Sequence, residues 1–147
     1  NVAKITVLGI PDRPGIAATL FEALAKQEIS VDTIVQNASE ERITDLTFTV
    51  TRTDSQRAMQ VVEPVAQDIG ARGCLSAENL AKVSIVGTGM QNAPGYAATM
   101  FRALFESDIN IEMITTSEIR ITCIIEEDQV PTAVNALHAA FELEEQP

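Results

Sequence analysis

The chain repeats itself. The stretch "PGIAATLFEALAKQEISVDTI" (14–34) overlies "PGYAATMFRALFESDINIEMI" (94–114) at a constant offset of 80 residues, with 10 of 21 positions identical. A repeat of this density is one supersecondary unit built twice, so any fold assigned to the first copy must also suit the second. With 147 residues in all, each copy has the size of a small domain.

The flanks extend the match. "KITVLGI" (4–10) faces "KVSIVGT" (82–88), two alternating runs that end in glycine, and the second copy then has two more residues before its Pro-Gly. Downstream two registers compete, because "SEERIT" (39–44) and "TDLTFTV" (44–50) both resemble "SEIRITC" (117–123). Alternation favours the second, since Leu46, Phe48 and Val50 fall on one face and Thr47, Thr49 and Thr51 on the other. That register pairs Thr44 with Ser117 and Asp45 with Glu118, and gives the first copy a hairpin loop longer by about seven residues.

Each copy then reads strand, helix, strand, strand, helix. In the first these are 3–9, 15–27, 29–36, 44–51 and 55–69, followed by a closing strand at 72–79. The first helix carries Ile16, Leu20, Ala23, Leu24 and Gln27 on its inward stripe, with Glu22 and Lys26 outside. Tyr96, Met100, Ala103 and Leu104 repeat that stripe. The order βαββαβ predicts an α+β fold of two tandem ferredoxin-like modules, residues 1–80 and 81–147, each an antiparallel sheet with helices on one face. After "VPTAVNALHAAFEL" (130–143) only "EEQP" remains, so the second module is expected to lack its own closing strand. The open edge calls for cover, from a segment preceding Asn1 or from association.

Composition narrows the partners. Ten Lys and Arg against 21 Asp and Glu give a net charge of −11, and aromatics make up 4%, which provides poorly for both phosphate neutralisation and base stacking. Nucleic acid is therefore not expected, and no apolar run suits a membrane span or a secretory leader, so a cytoplasmic location is expected. The two cysteines, Cys74 and Cys123, stand outside any metal-binding spacing and read as buried thiols. His138 has no nucleophile near it in sequence, Thr115, Thr116 and Ser117 have no base, and Glu126, Glu127 and Asp128 read as a helix-start cluster. "GTGMQNAPG" lacks the lysine of a phosphate loop.

The chemistry that remains sits in "GIPDRPGIAATLF" (9–21). Pro14 suits a helix start, and the N–H groups of Gly15, Ile16 and Ala17 are first-turn donors that favour an anion. A carboxylate on those donors and an ammonium beside Asp12 would together make an α-amino acid site. The same residues can equally form a capped, solvated turn.

The tandem repeats carrying this loop, then "KVSIVGTGM" and above all "INIEMITTSEIRITCII", resemble the paired ACT domains of aspartate kinase over residues 4–143. The resemblance implies a regulatory part, either a separate small subunit or a C-terminal domain, that binds the end-product amino acids threonine and/or lysine and feeds back on aspartate phosphorylation. It implies no cofactor in this chain, ATP and Mg belonging to the catalytic part. By position it implies an effector site at Asp12, Arg13, Pro14, Gly15, Ile16 and Ala17, at Ser30, Val31 and Asp32, and at Gln36. From the second copy it adds Asn110, Ile111, Ser117 and Glu118, with Met90, Ala93 and Tyr96 as positions of a lysine site. It also implies a homodimer through these modules. The alternatives are a stand-alone sensor with two such modules acting on another partner and an RNA-binding ferredoxin-like module, against which stand the "ITTSEIRI" stretch and the acidic charge respectively.

Overall fold

A computed structural model describes residues 1–11, 13–38, 43–87, 95–117 and 119–141. The elements run β1 (Val2–Pro11), α1 (Ile16–Lys26), β2 (Ile34–Ala38), β3 (Ile43–Thr51), α2 (Ser55–Asp68), β4 (Gly73–Val86), α3 (Gly95–Glu106), β5 (Met113–Thr116), β6 (Arg120–Glu126) and α4 (Val130–Phe141). The chain divides into two compact units, Asn1–Glu78 and Asn79–Pro147.

In unit 1 the strand order is β2-β3-β1-β4, the order that βαββαβ connectivity gives. Alternation along β1 and β3 places Ile5, Val7, Leu46, Phe48 and Val50 under the helices, where they meet Leu20 and Leu24 of α1 and Ala58, Val62 and Ala66 of α2. Phe21 adds an edge-on contact to Phe48, ring centroids 5.5 Å apart. In unit 2 the order is β4-β6-β5, and Met100, Leu104, Cys123, Ile125, Ala133 and Leu137 form the core. Among the described residues no strand follows α4.

The closing strand of the first copy and the opening strand of the second, read from sequence as separate elements, are one fourteen-residue strand, β4. Asn79, at φ 62°, marks the junction between the units.

The equivalence of β3 and β6 differs from the sequence register. Lys4, Ile5 and Thr6 face Thr49, Phe48 and Thr47, while Lys82, Val83 and Ser84 face Ile124, Cys123 and Thr122. A cross-strand hydroxyl pair repeats in both units, Thr6 with Thr47 at 3.1 Å and Ser84 with Thr122 at 2.7 Å. Thr47 therefore corresponds to Thr122 and Phe48 to Cys123, so Thr44 is not the partner of Ser117, nor Asp45 of Glu118. Seven residues (38–44) separate the facing pair Asn37 and Asp45, against two (118–119) between Ser117 and Arg120, an excess of five rather than seven. The slip is of two residues, which leaves every side chain on its expected face.

Two further expectations are corrected. The second strand begins at Ile34 rather than at 29, because Thr33 N–H bonds to the Thr49 hydroxyl and Asp32 N–H to the Thr49 carbonyl, which breaks the regular ladder. Gln27 is exposed instead of on the core stripe, because it is the C-cap of α1. Beyond it Glu28 turns left-handed (φ 56°), with Glu28 N–H bonded to Ala25 and Ile29 N–H to Leu24. Asp108 (φ 59°) and Ile109 repeat this Schellman ending on α3, bonding Phe105 and Leu104.

Candidate functional site

The loop of unit 1 is aimed by a bulge in β1. The ladder to β3 shifts between Val7 and Ile10, and Gly9 within it takes φ 63°, a conformation open to glycine without steric cost. Its N–H, released from the ladder, donates to Asp45 Oδ1 at 2.9 Å. The bulge delivers Ile10 and Pro11 to the mouth of the loop. Arg13 N–H then bonds to the Pro11 carbonyl at 3.0 Å, and Gly15, at φ 89°, is the N-cap from which α1 starts at Ile16. Pro14 is thus an exposed turn residue before the cap and does not sit inside the helix.

The first closed helical bond runs from Thr19 N–H to the Gly15 carbonyl at 3.0 Å, so Ala17 and Ala18 offer first-turn N–H groups with no partner inside the helix. No acidic side chain occupies that turn. Opposite it, β2 and β3 pair Gln36 with Leu46, and the Thr44 hydroxyl donates to the Asn37 carbonyl. Between helix start and hairpin lies a cavity of about 180 Å³, lined by Ile10, Pro11, Arg13, Gly15, Ile16, Ala17, Gln36, Thr44 and Leu46. A cavity of about 150 Å³ suffices for benzene, so this one has room for a small amino acid. Its lining combines the apolar Ile10, Pro11, Ile16 and Leu46 with Arg13, Gln36, Thr44 and the first residues of α1.

Of the residues expected at an effector site, unit 1 brings together Arg13, Gly15, Ile16, Ala17 and Gln36. Ser30, Val31 and Asp32 are elsewhere: they follow the Schellman turn at the C-terminal end of α1, roughly 16 Å along an 11-residue helix from Ile16. Ser30 and Asp32 are exposed there, and Val31 packs against the core of unit 1. Asn110 and Ile111 hold the same place after α3. Asn110 is exposed, its Nδ2 bonded to Glu112 Oε2 at 3.2 Å, and Ile111 packs on the core of unit 2. Ser117 is exposed at the β5–β6 turn, with its N–H bonded to the Arg120 carbonyl at 2.8 Å. Tyr96 stacks on Phe141 with centroids 6.1 Å apart. Asp12, Glu118, Met90 and Ala93 lie outside the described residues.

Ile10, Pro11, Thr44 and Leu46 line the cavity without having been read as site residues. Leu46 was within reach of sequence, since its face of β3 is also that of Gln36. Ile10 was not, because the bulge decides where it points.

Elsewhere the described residues hold no cluster of three or more His, Cys, Asp or Glu suited to a metal ion, and no helix long and apolar enough to cross a membrane. Burial raises the Cys123 thiol to about 11, and burial with the charge of Glu63 raises that of Cys74. Both are therefore poor nucleophiles near neutrality.

The βαββαβ connectivity of unit 1 and the matching strand–helix order of unit 2 define a tandem repeat of ferredoxin-like modules. The ACT domain family model matches residues 5–64 and 83–141, and the chain belongs to that family. Within it the chain falls with the regulatory domains of aspartate kinases. It is 47% identical over 142 residues to aspartate kinase Ask_LysC of Stutzerimonas stutzeri, covering 97% of this chain and 34% of that protein. It is similar to the regulatory subunit of aspartate kinase from Thermus thermophilus, ligand free (42% identity, TM-score 0.88, 96% and 93% of the two chains). It also matches a crystal structure of aspartokinase alpha and beta subunits (41% identity, TM-score 0.89, 97% and 93%). The chain spans about a third of the length of the curated relatives it matches.

Proposed function

We propose that this chain senses threonine or lysine for an aspartate kinase and restrains aspartate phosphorylation when either accumulates. The observation that carries the reading is the unit 1 cavity, where helix-start donors and Arg13 suit a carboxylate and Gln36 suits a polar side chain. Asp12, in the same loop, is the proposed partner of the ammonium group. Threonine is the favoured ligand here, and the counterpart loop with Met90, Ala93 and Tyr96 is a proposed lysine position. Catalysis, ATP and Mg belong to the kinase part, which this chain serves from the cytoplasm as a separate small subunit or as a C-terminal domain.

The placement of Ser30, Val31 and Asp32 supports association. They lie beside β2, an edge strand of its sheet, and Asn110 and Ile111 lie beside the edge strand β5. Ile34 and Ile114, equivalent in the repeat, are 53% and 44% exposed on those edges. Pairing of such edges in a homodimer would bring these strand starts to the loop of another module and complete the effector site. Ligand binding and association are then coupled.

A melting-temperature screen over the twenty amino acids tests this. At 100 times Kd a ligand adds about 2.7 kcal/mol, a rise of several degrees for a chain of this size. A rise with threonine or lysine is expected, and no rise with any amino acid would contradict the reading.

A further inference from the structure

We propose that Arg72 is a positioning residue of the unit 1 effector loop: its side chain lies across the Gly9 bulge and holds it in the form that presents Ile10 and Pro11 to the cavity. The inference rests on the effector reading above and adds to it a residue that stands outside the cavity lining.

Glycine populates positive and negative φ about equally, so the φ of 63° at Gly9 has to be selected by its neighbours. One selector is Asp45, which accepts the Gly9 N–H from the β3 side. The other comes from the turn between α2 and β4. There the Arg72 N–H donates to the Leu8 carbonyl at 2.8 Å, which ties the backbone immediately before the bulge. The Arg72 side chain then passes over Gly9 itself. A Cβ at position 9 would lie 2.5 Å from Arg72 Nε, 2.6 Å from Cγ and 2.9 Å from Cδ, so the arginine stem fills the volume that any other side chain at this position would need. Gly9 is buried while Arg72 is exposed, the division expected when a long stem is laid along the protein with its charged end towards water.

The same turn meets the next residues of the loop. Gly70, at φ 83°, bonds through its N–H to the Gln67 carbonyl at 3.2 Å, and a Cβ on it would stand 3.9 Å from Pro11 Cγ. Ile69 and Ala71 pack on the core to which Ile10 belongs. The segment from Leu8 to Pro11 is thus held between Asp45 on one side and residues 70–72 on the other. With the stem of Arg72 removed, Gly9 regains its conformational freedom, and Ile10 and Pro11 lose their fixed aim at the cavity.

The test compares the chain with Arg72→Ala, which removes the stem, and with Arg72→Met, which keeps an unbranched stem without the charge. Amide hydrogen exchange followed by NMR reads the loop in the absence of ligand. In Arg72→Ala the Gly9 N–H is expected to exchange about tenfold faster, while the Thr49 N–H, bonded to the Thr33 carbonyl, keeps the parent rate. In Arg72→Met both keep the parent rate. Isothermal titration of threonine and of lysine is expected to give an affinity about tenfold lower for Arg72→Ala, with Arg72→Met within about twofold of the parent. Equal exchange at Gly9 in parent and Arg72→Ala, faster exchange at Gly9 and Thr49 alike, or an Arg72→Met variant as weak as Arg72→Ala would overturn the proposal. Absence of heat from both amino acids in the parent would contradict the effector reading instead, and the exchange rates at Gly9 would still decide whether Arg72 holds the bulge.

Discussion

The backbone N–H of Gly9 and Oδ1 of Asp45 are 2.9 Å apart, a bond between the bulge of β1 and the hairpin strand β3. It fixes the exit direction of the loop that forms one wall of the cavity. In unit 2 the corresponding glycine, Gly87, bonds instead to the Ile119 carbonyl at 2.8 Å, so the same position is tied down by different chemistry.

Gly9→Ala should therefore destabilise the chain by about 1–2 kcal/mol, the cost of a side chain in the left-handed region. The added Cβ would also meet the Arg72 side chain at 2.5 Å, which must swing away. Asp45→Ala, which leaves the Gly9 N–H without its acceptor, should cost about 1–2 kcal/mol. Both should weaken effector binding, which calorimetric unfolding and ligand titration of the same samples will separate from stability.

Glu28 and Asp108 hold left-handed conformations at the ends of α1 and α3. Glycine takes this place without the steric penalty, so Glu28→Gly or Asp108→Gly should stabilise the chain by about 0.5–1 kcal/mol. Urea unfolding midpoints should rise for each variant and add in the double variant, because the two turns lie in separate units.

Cys123 is buried, and its thiol titrates at about 11 rather than at 9.0. The folded state holds this proton more tightly than the unfolded one. Its contribution is therefore complete below pH 9.0 and is lost as pH rises towards about 11. Cys74, also raised, acts in the same direction, whereas Lys82, lowered by burial and by Arg120, acts in the opposite one. Cys123→Ala should lose stability at neutral pH through the packing against Met100, yet show a shallower alkaline decline than the parent. Unfolding midpoints measured from pH 7 to 11 give the difference in slope.

The repeat made the architecture legible, because ten identities fix two copies of one connectivity and alternation identifies the buried face of β3. Its register against β6 was not legible. Thr47, Thr49 and Thr51 make an alternating run that matches itself after a shift of two, and the pairing of these strands with β1 and β4, marked by the hydroxyl pairs with Thr6 and Ser84, distinguishes the alternatives. Part of the cavity lining, Gly15, Ile16 and Ala17, follows from the helix start, although the N–H groups left without a helical partner are those of Ala17 and Ala18, and the Ile16 N–H turns back to the Arg13 carbonyl. The site was hidden where backbone geometry decides it. The bulge at Gly9 turns Ile10 into the cavity, and the Schellman turn at Glu28 sends Ser30, Val31 and Asp32 away from it.

The most direct measurement is an isothermal titration of threonine, and then of lysine, into the chain and into Ile16→Trp. Ile16 is partly buried at the mouth of the 180 Å³ cavity and also packs against the core of unit 1, so an indole there would fill the space at some cost in stability. Saturable heat is expected for the parent with at least one of the two amino acids. A loss of at least tenfold in affinity is expected for Ile16→Trp, measured at a temperature where circular dichroism shows both free chains folded. No heat from either amino acid, or equal affinity in parent and variant, would contradict the assignment of this cavity as the effector site.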